Sequence, residues 1–380
     1  MSVPHGERSR GKRILIVLGT RPEAIKLAPL VAELRARGRH EVEVCLSGQH
    51  RSMVDGVMRF FGTSTDHDLA IMSADQSLAA ITSRALEGLD SLLAARSYDW
   101  VIVQGDTTTS FVGALAAFYR SVRIAHVEAG LRTGRRTSPF PEEMNRVLTS
   151  RLADLHFAPT RGAIECLRSE GVPEDRIHLV GNTGIDALFD ALRRMPSLGM
   201  SDRYVARHRR AQGKRMILVT GHRRESFGAA FREICLALRD LAEEPRVHLV
   251  YPVHLNPNVR ATVFDLLRGR PNVSLIDPVE YPELVWLAQQ SYFILTDSGG
   301  IQEEAAALGK PVLVMREVTE RAESVDAGIS RVVGTGRSAI VRAGRMLLGD
   351  EQLYRAMARA LPLYGDGTAS RRIADVLETA

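Results

Sequence analysis

The densest run of side chains able to do chemistry lies between His126 and Arg146, HVEAGLRTGRRTSPFPEEMNR. It holds three carboxylates, Glu128, Glu142 and Glu143, among four arginines and two prolines. It follows the apolar run Val122 to Val127 directly, so it leaves the carboxyl end of an expected strand, where open α/β sheets bind their ligands. So polar a segment is expected to line a pocket rather than a core. Asp106 ends another buried run in Gln104-Gly105-Asp106. Asp106, Glu128 and Glu142 would therefore gather at adjacent strand ends, where crowded carboxylates perturb one another and divide into an acid and a base. That suits proton abstraction at carbon. It also suits glycoside hydrolysis and, less well for want of His/Asp ligand spacing, a metal. Asp106 could instead simply cap the following helix.

A second group has the character of an anion site. Asp297 to Leu308, DSGGIQEEAAAL, is a small glycine-rich turn opening a helix, whose free N–H groups and dipole attract phosphate. Ser298 adds a hydroxyl to Gly299 and Gly300, and Glu304 lies on the first turns, within reach of a ribose diol. There is no Walker lysine and no GxGxxG, which disfavours ATP hydrolysis and NAD binding. In Gly19 to Lys26, GTRPEAIK, Arg21 sits at a strand end and Lys26 one helical turn on, so both could hold a diphosphate. His222 occupies the equivalent strand end in the second half of the chain, a suitable place for an acid or base.

The elements that must position these residues alternate as strand and helix, the mark of a parallel sheet with crossover helices. RILIVLGT (13–20) is a strand buried on both faces. Pro22 opens the next helix, Gly38 stops it and Pro29 should kink it. The pattern restarts at Arg215 to Thr220, RMILVT, again ending in a glycine. The two openings align as Gly19-Thr20-Arg21-Pro22-Glu23 and Gly221-His222-Arg223-Arg224-Glu225. The expected fold is α/β with two Rossmann-like domains facing a central cleft. Residues 1–12 form a disordered basic extension, 13–185 the first domain with the acid/base carboxylates, and 186–364 the second domain. Residues 365–380 form a helix returning to the first domain. A linker is expected near 184–200, and the last 25 residues are expected to be helical but for a break at Tyr364-Gly365-Asp366-Gly367.

Composition is that of a globular protein with a sizeable core: 380 residues, 45% hydrophobic, 25% charged. The net charge of +5 is spread among 45 acidic residues, which fits a phosphate-bearing substrate better than nucleic acid. Cys45, Cys166 and Cys235 offer neither zinc spacing nor a disulfide framework. No apolar run approaches the roughly 20 residues of a membrane span, and the first dozen residues lack the apolar core of a signal peptide. A cytoplasmic protein with free thiols is expected, needing no cofactor and no metal.

The motifs taken together resemble the non-hydrolysing bacterial UDP-N-acetylglucosamine 2-epimerases. They are GTRPEAIK, GQHR (48–51), GDTTT (105–109), HVEAGLRTG, SPFPEEMNR, GNTGIDAL (181–188), TGHRRESFG (220–228), YPVHLNPNV (251–259), LTDSGGIQEEA (295–305), GKPVLVMRE (309–317) and YGDG. The resemblance implies the two-domain arrangement of GT-B glycosyltransferases and, usually, a homodimer. It implies that Arg21, Lys26, His222, Ser298, Gly299, Gly300, Glu304 and Arg321 contact the UDP moiety or its sugar, with His222 also counted among the catalytic groups. Asp106, Glu128 and Glu142 become the acid/base carboxylates, and Leu284 falls in the uracil slot. The implied reaction removes the C2 proton, expels UDP to leave a 2-acetamidoglucal, and adds UDP back as the proton returns to the opposite face. Some relatives are activated by a second UDP-N-acetylglucosamine. Gln49, His50, Gln76, Arg223 and His254 match that pocket, but Asp75 stands where those relatives carry arginine, an unfavourable exchange beside a diphosphate. Weak or altered activation is expected. Ala322 replaces a usual proline and would loosen the loop carrying Arg321, and Leu284 and Val279 fall where the uracil slot often has an aromatic residue and a glutamine. The alternatives are a hydrolysing 2-epimerase releasing N-acetylmannosamine and UDP, an epimerase of a modified UDP-sugar, and a GT-B glycosyltransferase.

Overall fold

The computed structural model describes residues 11–48, 51–72, 76–221, 223 and 227–380. The chain divides into two compact units, one running to Ala187 and completed by Gly367–Ala380, the other Leu188–Asp366.

The first unit runs β1 (Arg13–Leu18), α1 (Arg21–Arg37), β2 (Glu41–Leu46), α2 (Arg51–Phe60), β3 (His67–Asp68), α3 (Leu78–Ala95), β4 (Trp100–Gln104), α4 (Thr108–Tyr119) and β5 (Arg123–Val127). It continues through α5 (Glu142–Leu152), β6 (Leu155–Ala158), α6 (Arg161–Ser169), β7 (Ile177–Leu179) and α7 (Thr183–Ser197). The strands pair in parallel in the order β3-β2-β1-β4-β5-β6-β7. Ile14 to Leu18 and Trp100 to Val103 are fully or almost fully buried, because helices cover both faces of the sheet.

The second unit runs α8 (Met200–Arg207), β8 (Arg215–Thr220), α9 (Ala229–Leu241), β9 (Val247–Pro252), α10 (Pro257–Leu267), β10 (Val273–Ile276), α11 (Tyr281–Gln290) and β11 (Phe293–Thr296). Then follow α12 (Gly299–Leu308), β12 (Val312–Val314), α13 (Ala322–Asp326), β13 (Ser330–Val332), α14 (Arg337–Gly349) and α15 (Glu351–Met357). Its parallel sheet has the order β10-β9-β8-β11-β12-β13. A last helix, α16 (Ala369–Thr379), belongs to the first unit, where Ile373, Ala374 and Leu377 are buried and Lys12 donates to the Leu377 carbonyl at 2.7 Å.

Both sheets reverse their winding once, between β1 and β4 and between β8 and β11. Such switch points open a crevice at the carboxyl ends of the strands. The residues that follow those four strands are Gly19 to Arg21, Gly105-Asp106, Gly221 to Arg223 and Asp297-Ser298, which are the candidate residues of the sequence.

The expected linker near 184–200 is instead largely helix: α7 runs from Thr183 to Ser197. Ile185, Leu188, Ala191 and Met195 are buried along it, and that apolar spacing outweighs the signals of Pro196 and Gly199. The chain passes from one unit to the other inside this helix. The expected break at Tyr364 to Gly367 is present but wider, residues 358–368 separating α15 from α16. Helix α1 runs through Pro29 without a break. No helix among the described residues is long and apolar enough to cross a membrane.

Candidate functional site

In the first unit the site is built at the carboxyl ends of β1, β4 and β5. Thr20 caps α1, and Glu23, three residues on, closes the capping box. The Glu23 carboxylate is buried and accepts from the Gly19 and Thr20 N–H groups at 3.2 and 2.7 Å, from the Thr20 hydroxyl at 2.7 Å and from the Thr107 hydroxyl at 2.8 Å. Burial pushes its pKa up to about 7, against the opposing pull of the Thr20, Thr107 and Gly19 hydrogen bonds. Gly19 has to be glycine: a Cβ there would lie 2.5 Å from Ser47 Oγ and closer still to Thr109 Oγ1.

The polar segment expected to line a pocket is buried at its two ends and exposed in its middle, at residues 134–138. His126 has no exposed surface, Glu143 is 3% exposed and Arg146 7%. It can be buried because its charges satisfy one another. Glu143 accepts from the Thr133 and Gly134 N–H groups, at 3.0 and 2.9 Å, and holds that turn in place. Arg146 pairs with Asp106 and reaches Glu143 at 3.4 Å. Asn145 donates to the Asp106 carbonyl at 2.9 Å. The first turn of α5, which Glu142 opens, is thereby fixed against the Asp106 loop. Glu142 is half-exposed and makes no hydrogen bond or ion pair among the described residues.

Glu128 is 8% exposed and takes a left-handed backbone, with φ 64°. That costs a non-glycine residue about 1 kcal/mol or more. Its carboxylate pairs with Lys26, and Asn182 donates to it at 2.9 Å. Its other oxygen faces Gly105, whose Cβ, were there one, would lie 3.9 Å away. His126 donates its Nε2–H to the Gly105 carbonyl at 2.8 Å, which fixes the tautomer because a carbonyl can only accept. Burial holds its pKa down to about 3, so the ring is neutral. The structure thus brings Asp106, Glu128, Lys26 and the start of α5 together at neighbouring strand ends. Lys26, expected on a diphosphate with Arg21, turns its ammonium to Glu128. Arg21 is the first residue of α1 and half-exposed.

In the second unit the site is built at the N-terminus of α12. Thr296 accepts from the Ser298 N–H at 2.9 Å, and Gln302 donates to the Ser298 carbonyl at 3.1 Å. The Arg321 guanidinium lies over Gly299, where a Cβ would sit 3.1 Å from Cζ, while Gly300 opens onto space. Arg321 is 6% exposed and donates to the buried Glu303 at 2.6 Å. Beside it Arg316 pairs with Glu320 at 2.9 Å. Burial alone would raise Glu320, but the Arg316 hydrogen bond and the charges of Arg316 and Arg321 hold its pKa down to about 2. The loop that leads to Ala322 is held by these two ion pairs. Glu304 accepts from the Tyr281 hydroxyl at 3.0 Å, and Leu284 is half-buried on α11. The turn after β8 is pinned by Tyr251, which donates to the Gly221 carbonyl at 2.8 Å, and by Asp297, which accepts from the Arg223 N–H at 2.8 Å.

His222 itself, and Gln49, His50 and Asp75, lie outside the described residues. Of the remaining activator-pocket candidates, Gln76 donates to the Ile71 carbonyl at 2.8 Å and His254 is exposed, its Nδ1 accepting from Asn256. Among the described residues no three His, Cys, Asp or Glu side chains converge as metal ligands. Four residues that position the site were not singled out from the sequence: Glu23, Arg146, Asn182 and Glu303. Each lies inside a quoted motif, and Glu23 carried a readable sign, the capping-box spacing after Thr20.

The UDP-N-acetylglucosamine 2-epimerase family model matches residues 32–378. The chain belongs to that family. It is 52% identical to the UDP-N-acetylglucosamine 2-epimerase of Escherichia coli K12, over 96% of this chain and 98% of that one. It is 51% identical to the Yersinia pestis enzyme of that name, with the same coverage. Among solved structures it is similar to the UDP-GlcNAc 2-epimerase of Neisseria meningitidis bound to UDP-GlcNAc, with a TM-score of 0.94 and 44% identity over 97% of this chain and 100% of that one. The Methanocaldococcus jannaschii UDP-GlcNAc 2-epimerase in complex with UDP-GlcNAc and UDP gives a TM-score of 0.83 at 30% identity, again over 97% and 100%. The likeness to these two structures extends over both parallel-sheet units.

Proposed function

We propose that this epimerase-family chain interconverts UDP-N-acetylglucosamine and UDP-N-acetylmannosamine without net hydrolysis. The observation that carries the reading is the convergence of Asp106 and Glu128 at the ends of adjacent strands, with Glu142 on the helix fixed against them. A carboxylate removes the C2 proton, the C1–O bond to UDP breaks, and the electron pair left at C2 becomes the double bond of a 2-acetamidoglucal. UDP oxygen then re-forms the bond at C1 while a second carboxylic acid delivers a proton to the opposite face of C2. Epimerisation needs one proton-transfer group on each face, and the three carboxylates supply them.

The assignment of the UDP-holding groups follows the same reading. The N-terminus of α12 with Ser298, Gly299 and Gly300 offers N–H donors to the diphosphate, and Arg321 brings a charge already oriented by Glu303. Arg21 and His222 complete the set. A leaving group held this way is retained for return, which is what separates epimerisation from hydrolysis. Glu304 takes the ribose and Leu284 the base.

A homodimer is part of the reading; light scattering at twice the chain mass would support it and at the chain mass would contradict it. So is a reducing, cytoplasmic setting, which the buried thiols of Cys45 and Cys235, pushed up to about 12 by burial, tolerate. With Asp75 in place of a cation, the rate is expected to rise hyperbolically with UDP-N-acetylglucosamine; a sigmoidal rise would contradict the weakened activation. Product analysis by NMR tests the reaction itself. UDP-N-acetylmannosamine in equilibrium with substrate supports it, free N-acetylmannosamine with UDP supports the hydrolysing alternative, and turnover only of a modified UDP-sugar reassigns the substrate.

A further inference from the structure

We propose that Glu23 is a positioning residue that locks the turn carrying Arg21 to the loop carrying Asp106. The proposal rests on the function proposed above. Glu23 is 1% exposed, too deep in the first unit to be assigned a proton-transfer role. Its two oxygens divide their work. Oε2 accepts from the Gly19 and Thr20 N–H groups and from the Thr20 hydroxyl, the turn that ends immediately before Arg21. Oε1 accepts from the Thr107 hydroxyl, immediately after Asp106. The register of β1 with β4 runs from Ile14↔Trp100 to Ile16↔Ile102, and beyond it one carboxylate spans two segments that are 84 residues apart in the chain.

Thr107 is the second half of the clamp. While donating to Glu23 it accepts from the Ser110 N–H at 3.0 Å as the N-cap of α4. The loop is thus fixed from both sides, by its helix and by Glu23. Asp106 is fixed from a third, by Arg146. A capping box would need only Thr20 and Glu23; the Thr107 bond goes beyond what the cap of α1 requires. A shift of this carboxylate therefore moves a proposed UDP contact and a proposed proton-transfer group together, and misplacement by about 1 Å can cost 10²-fold in rate.

The test measures kcat and KM for exchange of the substrate C2 proton, per folded molecule, in the wild type and in Glu23→Asp, Thr107→Val and Thr107→Ser. Glu23→Asp keeps the charge but withdraws it by one methylene. Thr107→Val removes the donor to Glu23 together with the N-cap acceptor of α4, and Thr107→Ser restores both. The expected result is a kcat lowered roughly 10²-fold in Glu23→Asp and roughly tenfold in Thr107→Val, with Thr107→Ser close to wild type. The two losses should not multiply in the double variant, because both break the same link. A kcat within about twofold of wild type in folded Glu23→Asp and Thr107→Val, whatever their stability, would show a merely structural carboxylate and overturn the proposal. Should Glu23→Asp not fold, the Thr107 pair decides by the same criterion. A wild type that exchanges no C2 proton overturns the underlying function as well, whereas an active wild type with equally active variants overturns the role of Glu23 alone.

Discussion

Glu128, Glu142 and Glu143 look alike in the sequence and differ in what surrounds them. Glu143 is consumed by the backbone of residues 133 and 134, Glu128 by Lys26 and Asn182, and Glu142 by none of the described residues. The expected consequence is that Glu142→Gln and Asp106→Asn each lower turnover by about 10²-fold or more while UDP binding, followed by calorimetry, persists. Near-normal turnover in either would remove that residue from the acid/base set. His126 supports a prediction of another kind. Its folded pKa, about 3, lies below its unfolded value of 6.5, so its contribution to stability is present above pH 6.5 and is lost as pH falls toward 3. Each unit of that interval is worth about 1.4 kcal/mol. In urea titrations between pH 6.5 and 4, wild type should lose stability more steeply than His126→Gln, which can still donate to Gly105. Parallel slopes would mean that the ring is charged in the folded protein.

Among the elements, glycines at strand ends decide how closely the turns of the candidate site pack. Gly19→Ala should lower stability by about 1–3 kcal/mol, since the added methyl meets two hydroxyls with no room to yield. On α12 the two glycines should behave differently. Gly299→Ala forces Arg321 outward and should weaken UDP binding, whereas Gly300→Ala faces open space and should raise the thermal midpoint, helix propensity favouring alanine by about 1 kcal/mol. Equal effects of the two would contradict the placement of Arg321. Long parallel-sheet elements were readable in the sequence because their apolar runs are continuous: RILIVL, WVIVQ and RMILVT all became strands. The helix α7 was not, because Pro196 and Gly199 imitate a linker while the apolar spacing that decides the matter lies upstream of them. Nor was the burial of His126 and Glu128, since the partners that make it tolerable, Gly105 for His126 and Asn182 for Glu128, lie far off in the chain.

On the scale of the whole molecule, the chain builds two units and returns its last helix to the first of them. Leu377 is wholly buried there, and Arg37 reaches Glu378 at 3.0 Å. Leu377→Ala should therefore cost about 2–5 kcal/mol and lower one calorimetric transition, that of the first unit, leaving the other in place. A loss shared by both transitions would contradict this division. UDP should raise the midpoint in proportion to the logarithm of its concentration over its dissociation constant. The restart at Arg215 and the two glycine-ended openings were legible because both units repeat the same switch-point design. The strand-end places of the candidate residues were legible for the same reason. Their supports, such as Arg146 behind Asp106 and Glu303 behind Arg321, emerge only when the chain is folded. The proposed epimerisation turns on proton transfer at C2. Incubation with UDP-N-acetylglucosamine in D₂O, followed by NMR, addresses it most directly. Deuterium is expected at C2 in both epimers, with the UDP linkage intact at equilibrium. Epimer formation or turnover with C2 retaining its protium would contradict it.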